Sequence, residues 1–249
     1  PSSSGAAPTA AALPLLQAVE QSQDLYGLAL QLRARADGGD SQAAWVLGRV
    51  QEFCAGYAGD PQRYTLETVH STDAVRQARG RVQHRCGGFA PVDRLQRDSV
   101  LLQRRAAAEQ GSLAAEASLL GLGQPLFTDA LYRLDLVERV IESGDAEAFY
   151  ALAPAMGQRA AGDAALKHLV AGDADAELAW RVAACQLGKA CGPGSMVMDS
   201  YCANGGICAS RADDGFVAFV NEALPAGEPK VRLDAMIQKL LQARRKAWQ

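Results

Sequence analysis

An all-α fold is what this sequence predicts, and three observations carry it. Alanine, leucine, glutamine and arginine dominate while aromatics make up only 6%, so intrinsic preferences favour helix over sheet. Apolar residues recur at steps of three and four. Glycine followed by aspartate or serine punctuates these runs, as helix stops and caps do. With 249 residues, 49% of them hydrophobic and 21% charged, the chain can bury a sizeable core. It exceeds the usual single-core size, which leaves two small domains or one elongated helical array. We expect a flexible spacer over 1–12, a helical repeat domain with disulfides over 13–210, and C-terminal capping helices over 211–249.

The first periodic segment runs from about Leu15 to Ala36, with Leu16, Val19, Leu25, Leu28 and Leu32 near one face, and Gly38-Gly39 ends it. Asp40 can then cap a helix from Ser41 to about Cys54, buried through Ala43, Ala44, Leu47 and Val50. Asp60-Pro61 reads as a helix start, and a helix is expected from about Thr65 to Cys86. Further helices are expected over 91–110, over 128–143 and over 164–170. Thr128 and Asp129 suit a cap for Leu131, Leu134, Val137 and Ile141. Gly215 to Leu224 and about Lys230 to Trp248 close the chain. The last helix points Leu233, Met236, Ile237, Leu240 and Leu241 inward and places Arg244, Arg245 and Lys246 where its dipole favours cations.

One local pattern recurs. Gly39-Asp40, Gly111-Ser112, Gly144-Asp145 and Gly172-Asp173 each separate two helical runs. Four residues after each glycine stands Ala43, Ala115, Ala148 or Ala176, and four further on Leu47, Leu119, Leu152 or Trp180. A small residue followed by a large one at i+4 lets helices approach closely and fills the next layer. The stretch Ala107 to Leu119 resembles the second half of a Sel1-like repeat, with two alanines, a turn glycine, an alanine and a leucine, and Ala43 to Gly48 is similar to it. That resemblance implies a Sel1- or tetratricopeptide-like helix-hairpin (α/α) solenoid, a family whose members usually act as adaptors binding other proteins.

Six cysteines fall into two groups, which points to an oxidising compartment. Cys54-Ala-Gly-Tyr57 and Cys86-Gly-Gly-Phe89 are similar tetrads, each read as a helix end, and a bridge between them stabilises by about 3–4 kcal/mol on the loop-entropy argument. Cys185, Cys191, Cys202 and Cys208 allow three connectivities. A helix stop at Gly188 and a returning helix from Ser195 favour Cys185 with Cys202 and Cys191 with Cys208, while reversal of the last turn permits Cys185 with Cys208. The gaps of five fit zinc poorly and lack the C-x-x-C spacing of a dithiol catalyst, so no metal is expected.

No reaction motif stands out. His70, His84 and His168 have as nearest local companions only Ser71 and Cys86, and each reads as a helix-surface group. Asp24, Glu67, Asp93, Glu109, Glu138 and Glu142 form a carboxylate pair only if tertiary contact makes one. Gly121-Leu-Gly123 lacks the third glycine of a dinucleotide loop. Most of the tryptophans and tyrosines are expected in the core. Net charge of −3 leaves no footprint for a polyanion, the one dense basic stretch being Arg76 to Arg85, so nucleic acid is not an expected partner. No apolar run is long enough to cross a bilayer. The opening PSSSGAAPTAAALP is similar to the spacer that follows an export signal, and it is compatible with a lipid anchor upstream of Pro1. The expectation is a non-enzyme without cofactor: a periplasmic or extracellular protein-binding scaffold of the bacterial cell envelope, or alternatively an inhibitor or immunity protein that neutralises an exported hydrolase or toxin. A hydrolase on an all-α frame is the third class.

Overall fold

The structure, a computed structural model, describes residues 12–247, with side chains over 15–244. The expected spacer lies outside the described residues except for Ala12, as does Trp248, and so do the side chains of Arg245 and Lys246. Among the described residues there are thirteen α-helices, two short 3-10 turns and no strand. They are α1 (Ala12–Gln21), α2 (Leu25–Asp37), α3 (Ser41–Gly59), α4 (Pro61–Val69), α5 (Asp73–Cys86), α6 (Arg97–Glu109), α7 (Leu113–Gly121), α8 (Ala130–Ser143), α9 (Ala146–Met156), α10 (Ala174–Gln186), α11 (Met196–Gly205), α12 (Phe216–Ala223) and α13 (Glu228–Ala247).

Caps decide several boundaries that periodicity alone does not. The expected helix from Leu15 to Ala36 is broken in two because Asp24 accepts the Gly27 N–H at 2.9 Å and starts α2. Gly27 has no Cβ to strike that carboxylate. The expected helix from Thr65 to Cys86 is likewise split at His70-Ser71-Thr72, with α4 starting four residues earlier, at Pro61, on the Asp60 cap. In the expected helix over 91–110, Pro91–Asp93 forms a 3-10 turn, Arg94 is left-handed at φ 50°, and α6 starts only at Arg97. Helix α3 runs on to Gly59, so Cys54 lies inside it rather than at its end. Residues 164–170 form no α-helix. Leu166 donates to Asp163 O and Leu169 to Leu166 O, the i to i+3 pattern of successive turns, and buried Leu166 and Val170 anchor them.

The four glycine turns share more than sequence. Gly39, Gly111, Gly144 and Gly172 all have positive φ, between 60° and 107°, where a side chain would be strained. The next residue, Asp40, Ser112, Asp145 or Asp173, accepts the N–H of Ala43, Ala115, Ala148 or Ala176. Those four alanines are fully buried, as are Leu152 and Trp180, with Leu47 and Leu119 nearly so.

The chain divides into two compact units, each assembled from separated stretches. The first holds the described residues up to Gln110 together with Ala190–Phe219. Its centre is α3, buried along most of its length and packed by α1, α2, α4, α5, α6 and α11. The return of α11 onto α5 is a long-range closure that neighbour-to-neighbour stacking does not produce. The second holds Gly111–Lys189 and the chain from Val220 onward. There α9 packs between α7 and α10, and α13 covers α10 and α8 through buried Leu233, Ile237 and Leu240. Leu131, one of the four apolar residues picked out on α8, is 80% exposed, because the buried stripe begins a turn later at Leu136 and Val137.

Candidate functional site

The cysteines staple helices, though not all as expected. Cys54 and Cys86 are bonded, with Cα atoms 5.5 Å apart, tying the body of α3 to the last residue of α5. Cys202 is bonded to Cys208, which overturns both Cys185 with Cys202 and Cys191 with Cys208. The cause is local. Gly206 ends α11 in the left-handed conformation, Gly206 N–H reaches Cys202 O and Ile207 N–H reaches Tyr201 O, so the chain doubles back within six residues. Cys185 and Cys191 are disulfide-bonded too and, with the other four paired, make a third local pair.

A polar cleft of about 440 Å³ lies within the first unit. Its floor is one stripe of α5, Gln77, Gly80, Arg81, His84 and Arg85, spaced so that all five share a helix face. Glu20 and Gln23, flanking the break between α1 and α2, form one wall, and Gly194, just before α11, the other. No apolar side chain lines it.

Each charge in this cleft already has a structural counterpart. Arg85 is only 5% exposed and sends its guanidinium to the carbonyls of Val19, Glu20 and Ser22, the unpaired acceptors at the end of α1. Burial lowers its pKa, while the charges of Glu20 and Asp199 act in the opposite sense. Glu20 Oε2 accepts the Met196 N–H at 3.0 Å in the first turn of α11. Arg81 donates through Nε and Nη2, at 2.9 and 2.7 Å, to Oδ1 of fully buried Asp199 on α11. Asp199 Oδ2 has no protein partner, and burial raises the carboxyl above its usual range although Arg81 and Arg85 pull it down. Arg81 Nη1, the His84 ring, Glu20 Oε1 and the Gln77 amide remain as open hydrogen-bonding groups, with Gln23, whose Nε2 also reaches Gln21 O at 3.3 Å.

The rest of the basic stretch is likewise engaged. Arg76 pairs with Asp73, and Arg79 pairs with Glu67 at 3.2 Å while lying 4.0 Å above the Tyr64 ring. In the second unit, Lys189 Nζ meets Glu147 Oε1 at 2.7 Å with its side chain fully buried, 4.8 Å from the Tyr150 ring centre. This pair fastens the segment after α10 to α9.

Compared with protein-family models, curated proteins and solved structures, the chain matches none.

The structure brings none of the expected reactive pairings together. Ser71 Oγ donates to Glu67 O, and Cys86 is bridged, so neither gives His70 or His84 a nucleophile. Of the six carboxylates, Asp24 caps α2, Glu67 takes Arg63 and Arg79, and Asp93 accepts the Ala90 N–H, while Glu109, Glu138 and Glu142 are exposed. Among the described residues no three His, Cys, Asp or Glu side chains gather as a metal site, and no helix is long and apolar enough to cross a membrane. Trp45, Trp180, Tyr57 and Tyr64 are buried. Sequence reasoning missed the cleft. The three-and-four spacing of polar residues around Gly80 was readable, but Glu20 and Gly194 join it only through the fold.

Proposed function

We propose that this chain is an exported, disulfide-stapled helical scaffold of Sel1- or tetratricopeptide-like type that works by binding a protein partner in the bacterial cell envelope and catalyses no reaction. The observation that carries the reading is that all six cysteines are bonded, two of the three pairs closing tight local loops and the third joining α3 to α5, in an otherwise alanine-rich helical protein. Bonds of this kind persist in oxidising compartments and hold helix surfaces in fixed positions, which lowers the entropy lost when a partner docks. The recurring glycine turn with its buried alanine supports the repeat half of the reading. Thiol counting on unreduced protein, followed by crosslinking and recovery of partners from the envelope fraction, tests it. Zero free thiols and a stoichiometric protein partner are expected. Six open thiols, or recovery of the chain alone, reject the reading, and a single hydrolase or toxin as the partner converts it to the inhibitor reading.

A further inference from the structure

We infer that the cleft over Gly80 holds a short, uncharged, hydrogen-bonding stretch of a partner's polypeptide. This deepens the protein-binding reading and rests on it. Two observations carry it. The first is Gly80 itself. It sits at an exposed position inside α5, where glycine weakens a helix, yet a Cβ there would meet nothing within 4 Å. Packing therefore does not require glycine at this position. What its missing side chain does is leave the floor of the cleft open between Gln77, Arg81 and His84.

The second is charge balance. Arg81 is matched by Asp199, and Glu20 by the amide end of α11 and the nearby Arg85. A charged ligand would enter as an unbalanced charge, whereas a neutral one loses no Coulomb energy and still finds partners. Arg81 Nη1 and the glutamine NH₂ groups donate, and Glu20 Oε1 and the glutamine carbonyls accept, which is the alternating demand of peptide amides and hydroxyl side chains. No Phe, Tyr or Trp ring lines the cleft, so a sugar ring finds no broad apolar face to stack on.

The test uses the full oxidised chain and four probes: acetylated, amidated tetrapeptides of neutral (Ser-Gln-Gly-Ser), glutamate-containing and lysine-containing sequence, and maltotriose. Binding is read from the His84 imidazole proton by NMR. The neutral peptide should give a saturable shift that persists at several times the salt, since no ion pair forms. Gly80→Val should weaken it by at least about tenfold while the melting temperature stays level or rises. Preference for a charged peptide or for maltotriose, no shift with any probe, or undiminished binding by Gly80→Val each overturns the proposal. A partner recovered from the envelope equally well by Gly80→Val overturns the cleft alone, whereas peptide binding without any recoverable partner rejects the scaffold reading instead.

Discussion

Removing the Cys54–Cys86 bond should destabilise the protein about twice as much as removing Cys202–Cys208, and loop length gives the ratio. The bonds join residues 32 and 6 apart. Constraining the unfolded chain over those loops contributes about 4 and about 2 kcal/mol respectively at room temperature. Burial acts in the same direction, because Cys54 and Cys86 are both fully enclosed and alanine at each leaves a void, whereas Cys202 is 7% exposed and Cys208 lies half-exposed beyond the helix. The comparison is between Cys54→Ala/Cys86→Ala and Cys202→Ala/Cys208→Ala, so that neither variant carries an orphan thiol. Urea unfolding followed by far-UV circular dichroism supplies the difference, with a melting-temperature drop on the order of 10 °C for the first variant. Mild reductant should further separate them: native protein should open Cys202–Cys208 first, since the other bond is reached only on unfolding. Equal losses, or a larger one for the 202/208 variant, would refute the argument that loop closure and burial set the value of these staples.

Three other outcomes are expected. Gly121→Ala should destabilise by about 1–3 kcal/mol in chemical denaturation, because its Cβ would lie 2.6 Å from Ala151 O where α7 meets α9, whereas Gly80→Ala, with open space around it, should stabilise by up to about 1 kcal/mol; the same sign for both contradicts the reading of these two glycines. Leu152→Ala, at a position with no exposure in the middle of α9, should cost about 2–5 kcal/mol, and a loss below 1 kcal/mol measured by urea titration would show that the α7–α9–α10 layer is not packed as described. Asp40 and Asp145 cap in the same way yet titrate oppositely. Burial raises both, but at Asp40 it is outweighed by the Ala43 N–H, Arg35 and the Gln42 N–H, so the net shift is downward. At Asp145 burial prevails over the Ala148 N–H, and the Glu147 charge adds to it. The stabilisation from Asp40 is therefore present above the ordinary carboxylate value and lost as pH falls through and below it, while the cost of ionised Asp145 is relieved as pH falls through its raised folded value. Unfolding free energies between neutrality and about pH 3 should lose acid sensitivity in Asp40→Asn and gain it in Asp145→Asn; slopes that move together would contradict this.

Much of the fold was legible because caps and periodicity are local. Asp40, Asp60, Ser112, Asp129, Asp145, Asp173 and Ser195 all stand where the sequence places helix starts, and each accepts a backbone N–H of the first turn. The failures were local signals left unread. Asp24 with Gly27 announces a new helix as plainly as Asp40 does. Gly205-Gly206 between Cys202 and Cys208 announces a reversal that fixes their pairing, just as Gly188 does after Cys185. The unit boundaries were not legible, since no property of residues 190–219 taken alone says that α11 packs on α5 rather than beside its neighbours in sequence.

The stretch from Arg76 to Arg85 shows why function was harder to read than fold. As a sequence it is a basic patch, and a helical wheel adds only that part of it shares a polar face. The fold supplies every counter-group: Asp73 one turn back, Glu67 on α4, Asp199 from α11, and the carbonyl end of α1 for Arg85. The contacts to α4, α11 and α1 convert surface charges into cross-braces, while Arg76 and Asp73 pair within α5, and together they offset much of the positive field that the sequence advertises. What is left facing solvent at the centre of that stripe is a glycine with amides, one guanidinium nitrogen and an imidazole around it. A ligand held there would have to be recognised by hydrogen-bond geometry, which demands a rigid backbone, and the Cys54–Cys86 bond fixes the end of the same helix.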